Sequence, residues 1–325
     1  MLSMEEFATK VKEELEELTG TPVVLETMIK GNGVVMHGLR KANQRELAEL
    51  GAAVPVAETA SEEKESHVKE VCAIVYLDEV YKAFKSGYAS IREIAEKVIA
   101  MWEEEAKKRL NFNLEWSAEY IKQNVCYRLM NFAYNKKLLE EVPFTRFLDL
   151  AMVYYVLVEL EEDSIGSMVI SREHLVGLGI SKEELHESAM VNTRRILGGK
   201  VIDMYDYAYI LIERLGMPKT ALESWKLQER GKMYVGSNNR TLYGAAILAY
   251  PNFIQNISKK LNDSDLVIIG SSVHELIILP VAEEICLQEI KRFVVEVNRS
   301  CLNWTEVLSD AVYYYDSENK EIRVV

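Results

Sequence analysis

Apolar residues recur at spacings of three and four from Met4 through Phe7, Val11 and Leu15 to Leu18, which places them on one face of a helix. Ser3 and Glu6 form a capping box at its start, and Gly20 supplies its stop. Two β-rich runs follow, Val23 to Ile29 and Val34 to Leu39. Gly31-Asn32-Gly33 between them tolerates positive φ and predicts a tight hairpin. A strand is expected at Val71 to Leu77 and a short helix from Asp78 to Lys85. A second capping box, Ser90 with Glu93, opens a helix that turns Ile91, Ile94, Val98, Met101 and Trp102 inward and reaches Arg109.

Farther along, an apolar run from Val125 to Phe132 precedes a short helix near Lys136 to Glu141. Between Phe147 and Leu160, Val, Tyr and Leu follow one another without polar alternation, the pattern of a strand covered on both faces and therefore central in a sheet. Its partner is expected at Ile165 to Ile170, across an acidic turn. Ser181 with Glu184 caps a third helix, which runs to Gly198-Gly199, and another helix spans about Asp203 to Leu215. Met233 to Gly236 and Gly244 to Tyr250 flank a polar turn, giving either a hairpin or a strand-to-helix turn, and Pro251 opens a helix to Leu261. Strands are expected at Leu266 to Ile269 and His274 to Leu279. An amphipathic helix then carries Ile285, Cys286, Ile290, Phe293, Val294 and Val297 on one side, and a last hairpin joins Ala311–Tyr315 to Ile322–Val325.

Strands thus come in adjacent pairs with amphipathic helices interspersed, which predicts an α+β fold with antiparallel sheets built from hairpins, in two lobes. The pattern breaks at Asn111 to Asn113, so an N-terminal lobe is expected over residues 1–112 and a larger one over 113–325. From Lys41 to Lys69 the chain loses β-branched residues, predicting a short helix and then an acidic loop near 51–70.

Composition narrows the function classes. Lys plus Arg number 38 against 51 Asp plus Glu, a formal charge of −13, which disfavours gripping phosphate backbones. The opening residues carry charges where a signal peptide needs an apolar core, and the longest clean apolar run, Leu150 to Val158, is about half the ~20 residues a membrane helix requires, so a soluble cytoplasmic protein is expected. Cys72, Cys126, Cys286 and Cys301 form no C-x-x-C pair, and His37, His67, His174, His186 and His274 form no H-E-x-x-H or H-x-H pattern, so neither a metal nor a cofactor is expected. The glycine pairs at Gly31 and Gly177 lack the residues that complete a phosphate loop.

The sharpest catalytic candidate is Ser272 with His274, expected on one face of the Ile269 to Leu279 segment, with Asp310 or Glu275 to orient the imidazole. The plainer alternative has Ser271 and Ser272 bending a strand while His274 satisfies its own backbone; the G-x-S-x-G elbow is missing. Arg194-Arg195 suit a helix C-terminus better than nucleic acid, and Tyr313-Tyr314-Tyr315 suit a half-buried strand better than base stacking.

FLDLAMVYYVLVE (Phe147 to Glu159), EHLVGLGISKEELHESAMVNT (Glu173 to Thr193), YGAAILAYP (Tyr243 to Pro251), SSVHELIILP (Ser271 to Pro280) and LSDAVYYYD (Leu308 to Asp316), together with NGVVMHGL (Asn32 to Leu39) and YLDEVYKAFKSG (Tyr76 to Gly87), resemble an uncharacterised family of bacterial proteins, mostly clostridial, catalogued as a domain of unknown function. The resemblance implies a bacterial cytoplasmic protein and carries over no reaction. It directs attention to the polar residues inside these apolar stretches: Asn32, His37, Asp149, Asn192, Ser271, Ser272, His274, Glu275 and Asp310. The expected function is a non-enzymatic binding or regulatory protein engaging a protein or small ligand, with a hydrolase built on Ser272 and His274 as the alternative.

Overall fold

The structure is a computed structural model that describes residues 2–43, 46, 74–109, 116–159, 165–217, 231–281 and 285–325. It is α+β, and the strands of the described residues assemble into three antiparallel sheets. The chain divides into two compact units, one comprising Met1–Lys30, Val34–Trp116 and Val158–Gly166, the other Gly31–Gly33, Ser117–Leu157 and Ser167–Val325. The boundary expected near residue 112, most of the strand start at Val71 and the acidic loop near 51–70 lie outside the described residues.

The smaller unit begins with α1 (Met4–Thr19), where both halves of the Ser3–Glu6 capping box form and Gly20 closes the helix at φ 63. Strands β1 (Val23–Ile29) and β2 (Val35–Lys41) pair in antiparallel register, and the short β3 (Val75–Tyr76) joins β2. Helices α2 (Asp78–Lys85) and α3 (Ile91–Arg109) follow. Phe7, Val11 and Leu15 of α1 share one core with Leu39, Leu77, Ile94, Val98 and Trp102. Fully burying a side chain of this size contributes roughly 1.5–3 kcal/mol, so the apolar stripe, more than helix propensity, holds α1 in place. Met101 departs from expectation: it is 50% exposed, because it lies at the margin of the stripe centred on Val98.

The larger unit carries the other two sheets. After α4 (Ala118–Asn124) come β4 (Val125–Asn131), α5 (Lys136–Glu141), β5 (Phe144–Phe147), β6 (Leu150–Glu159) and β7 (Ile165–Val169), with β6 paired to β4, β5 and β7. Every residue from Leu150 to Val156 is buried, as the unbroken apolar run predicts for a central strand. The edge of β4 is closed by a helix: the Tyr127 amide donates to Thr193 Oγ1 at 2.9 Å. Thr193 belongs to α7 (Lys182–Leu197), which follows α6 (Arg172–Leu178) and starts at the Ser181–Glu184 capping box.

The remaining sheet uses β8 (Lys200–Asp203), β9 (Tyr234–Ser237), β10 (Leu266–Ser272), β11 (Glu275–Pro280), β12 (Val312–Asp316) and β13 (Glu321–Val324), in the order β13-β12-β10-β11-β9-β8. Helices α8 (Met204–Arg214), α9 (Phe253–Lys260) and α10 (Leu287–Ser300) separate these strands. The stretch after β9 resolves the open alternative toward a strand-to-helix turn, since Gly244–Ala249 is a buried 3-10 helix. On α10, Phe293 is 65% exposed instead of inward. The buried residues Val294 and Asn298 set the inner face there, one side of it being polar, and Phe293 falls beyond its margin. Tyr313 and Tyr315 are buried in β12, with Tyr313 opposite Ile268.

Candidate functional site

Among the candidates, Asn32, Asp149 and Asp310 enter one polar cluster in the larger unit. Asn32 sits in the left-handed region at φ 56, a conformation Asn tolerates better than most residues. Its side-chain amide donates to the Trp304 and Val307 carbonyls at 2.6 and 2.7 Å, and its Oδ1 accepts from Asn135 Nδ2 at 2.8 Å. Asn135 Oδ1 takes the Asn32 amide at 2.7 Å, and Asn135 Nδ2 also donates to the Asn131 carbonyl at 2.7 Å. Asp310 accepts from the Tyr134 hydroxyl at 2.7 Å and from Asn298 Nδ2 at 2.8 Å. Asp149 accepts from Ser309 Oγ at 2.5 Å and Tyr313 Oη at 2.9 Å. Burial and the bond to Asp310 hold the Tyr134 phenol protonated up to about 12. These carboxylates are spent on structure.

His37 and Asn192 are likewise local. The His37 amide donates to Asp78 Oδ2 at 3.0 Å, and its imidazole Nδ1 lies 3.7 Å from Asp78 Oδ1. Asn192 donates to the Lys122 carbonyl at 2.8 Å and accepts from Arg195, which also caps Gln123 of α4 at 2.5 Å. Arg195 thus serves a helix C-terminus, where a cation complements the exposed carbonyls. His186 shares a 2.9 Å hydrogen bond with the Tyr154 hydroxyl through Nδ1.

Ser272 and His274 are close, but not as a strand face. β10 ends at Ser272, Val273 and His274 make the turn, and β11 begins at Glu275, with a register shift between Gly270 and Ser272. The turn is pulled out of the ladder because Val273 donates to the Glu306 carbonyl and accepts from the Ala245 amide. Ser272 Oγ accepts from the His274 backbone amide at 3.0 Å. The imidazole faces elsewhere: its Nδ1 accepts the Tyr243 amide at 3.1 Å. Ser271 donates to Glu275 Oε1 at 3.3 Å, while Glu275 Oε2 takes the Tyr207 hydroxyl at 2.8 Å. The expected same-face pair is therefore replaced by backbone-directed contacts.

Those contacts build a different cluster. Asn238, fully buried, folds the segment after β9 by donating to the Leu242 carbonyl and accepting from the Arg240 amide. Ser237 Oγ donates to the His274 carbonyl at 2.8 Å. A Cβ on Gly244 would lie 2.0 Å from Ser237 Oγ and 2.4 Å from the His274 carbonyl oxygen, so only glycine permits this approach. Tyr243, just before it, is held at φ 54, which a bulky residue adopts only under constraint.

Three side chains surround the Tyr243 ring. His274 stacks on it with centroids 5.6 Å apart, Tyr155 meets it edge-on at 5.3 Å, and the Arg128 guanidinium lies 4.7 Å from its centroid. Arg128 Nε and the Tyr155 hydroxyl are buried with no hydrogen-bond partner among the described residues. Burial, followed by the neighbouring Cys126 and Tyr243, raises the Tyr155 phenol well above its ordinary value, whereas Arg128 acts on it in the opposite sense. Sequence reasoning missed Arg128, Tyr155 and Tyr243. The available signal was the single charge inside the apolar run Val125 to Phe132, since arginine is rarely placed in a buried strand unpaired.

Elsewhere, an open cleft of about 350 Å³ on the smaller unit is lined by Tyr88, Ala89, Glu93, Glu96, Lys97 and Ala100, and it contains none of the sequence candidates. Among the described residues, no group of three or more His, Cys, Asp or Glu is placed to hold a metal ion, and no helix is long and apolar enough to cross a membrane.

The profile of a family of unknown function, DUF5688, matches residues 4–317, and the chain belongs to that family. No curated protein and no solved structure matches it.

Proposed function

We propose that this chain is a non-enzymatic binding or regulatory protein of the cytoplasm, engaging a protein or a small ligand. The supporting observation is the direction of the Ser272 and His274 contacts. A serine nucleophile needs its hydroxyl on an imidazole nitrogen and a carboxylate on the other nitrogen. Here Ser272 Oγ takes a backbone amide and His274 Nδ1 takes another. Asp310 and Glu275 are bonded to Tyr134, Asn298, Tyr207 and Ser271. The test incubates the purified chain with a cell extract and reads retained molecules by native mass spectrometry, beside an assay with activated esters. A stoichiometric adduct without ester turnover is expected. Turnover abolished by Ser272→Ala would overturn the proposal in favour of the hydrolase.

A further inference from the structure

We propose that Arg128 and Tyr155, grouped around the ring of Tyr243, form a binding site for a small oxyanion, a carboxylate or phosphate group. The proposal rests on the binding-protein reading and names its ligand chemistry. Four observations carry it. First, Arg128 is half-buried in β4, and its Nε has no hydrogen-bond partner among the described residues. Its charge rests on an aromatic face, 4.7 Å from the Tyr243 centroid. A planar fork of N–H donors stacked on a ring presents its edge to a planar or tetrahedral oxyanion, the geometry guanidinium binds best.

Second, the Tyr155 hydroxyl is a second buried group without a partner, on a residue with no exposed surface. It is within the electrostatic reach of Arg128 and remains a donor at neutral pH because burial opposes its ionisation. Leaving a buried donor unmatched carries a desolvation penalty, which a bound acceptor would recover. Third, with Nδ1 of His274 accepting the Tyr243 amide, the neutral ring carries its proton on Nε2, a further donor on a half-buried residue stacked on the same tyrosine. Fourth, the backbone is held out of its preferred conformation at Tyr243, and glycine at position 244 is required to hold it there. The guanidinium brings a positive charge and donors only, which favours an anion over a cation.

The occupant's chemistry is tested with inorganic phosphate and with sodium acetate as separate probes, titrated calorimetrically into the full chain at low ionic strength, with chloride as the control for general screening. Saturable binding of one of the two probes, beyond chloride, is expected, and which one binds identifies the oxyanion. Arg128→Gln should weaken it at least tenfold, Arg128→Lys should weaken it less, and Tyr155→Phe should weaken it several-fold, since hydrogen bonds to a charged group are stronger than neutral ones and a lysine keeps the charge without the planar fork. Circular dichroism confirms that each variant is folded; if Arg128→Gln does not fold, Tyr155→Phe decides alone. No saturable binding of either probe to the native chain, or binding unchanged in the folded variants, would overturn the site. A native adduct that survives in Arg128→Gln would remove this site while leaving the binding-protein reading intact. Ester turnover dependent on Ser272, with phosphate or acetate binding still dependent on Arg128, would do the reverse.

Discussion

Two polar regions of the larger unit invite comparison. Around Asn32, Asn135, Asn298, Asp149 and Asp310, the side-chain donors and acceptors described above answer one another, and the backbone carbonyls of Trp304, Val307, Leu308 and Ser309 are drawn in as well. Around Tyr243, the Arg128 Nε and the Tyr155 hydroxyl are buried and meet no hydrogen-bond partner among the described residues. Both regions are aromatic, polar and largely enclosed, yet only the first has its hydrogen bonds complete. Completed buried networks specify a fold, because each member would be left unsatisfied in any other arrangement. Incomplete ones store a deficit that packing elsewhere must offset, and such deficits gather where a molecule has something to bind.

The contrast makes unequal predictions for mutations. Asn32→Ala should have the largest effect, about 3 kcal/mol of lost stability in urea unfolding, because it removes the side-chain donor of the Trp304 and Val307 carbonyls and one of the two acceptors of Asn135 Nδ2, while the backbone bond to Asn135 Oδ1 stays; each unsatisfied group costs roughly 1–3 kcal/mol before relaxation. A loss below 1 kcal/mol would mean that the first network is not structural. Gly244→Ala comes next, at about 2 kcal/mol, since the new methyl must displace Ser237 Oγ or the His274 carbonyl. A thermal midpoint equal to that of the native chain would show that the approach of the two segments is loose.

Tyr155→Phe should behave in the opposite way to Asn32→Ala. Removing a hydroxyl that has no partner leaves stability unchanged or raises it by up to about 1 kcal/mol. A clear loss in the same urea assay would mean that the hydroxyl has an acceptor and that the two regions are alike.

The smallest effect is on alkaline stability. The folded Tyr134 phenol is raised to about 12, with burial the first cause and the bond to Asp310 the second, so the folded state holds its proton more tightly than the unfolded state does. That stabilisation is fully present below the ordinary phenol value near ~10 and disappears as pH rises through the folded value. Tyr134→Phe should therefore flatten the fall in stability over that alkaline interval, measured by unfolding at a series of pH values. Parallel curves for the two chains would place the titration elsewhere.

Local signals in the sequence were read well where a short stretch carries its own instruction. Ser3, Ser90 and Ser181 cap the helices expected of them, each bonded to the glutamate three residues on, because a capping box closes entirely within four residues. The burial of Leu150 to Val156 was legible because a strand packed on both faces admits no polar alternation. The margins of helix stripes were not, as Met101 and Phe293 demonstrate: periodicity gives a direction, and the width of the neighbour decides what is covered.

Asn32, Asp149 and Asp310 stood out in the sequence as polar residues in apolar stretches, and each has a hydrogen-bonding role in the fold, but the partners lie 103 to 275 residues away for Asn32 and 160 to 176 for the two aspartates' bonds to Ser309, Tyr313 and Tyr134. Composition and periodicity determined the fold class and the positions of most elements, since these follow from propensity, capping and burial acting over a few turns. The tertiary structure alone turned Val273 and His274 out of their ladder, set the imidazole against the Tyr243 amide, and put Arg128 and Tyr155 around one ring. Those relations depend on which distant segments share the same small volume, and no local pattern encodes that.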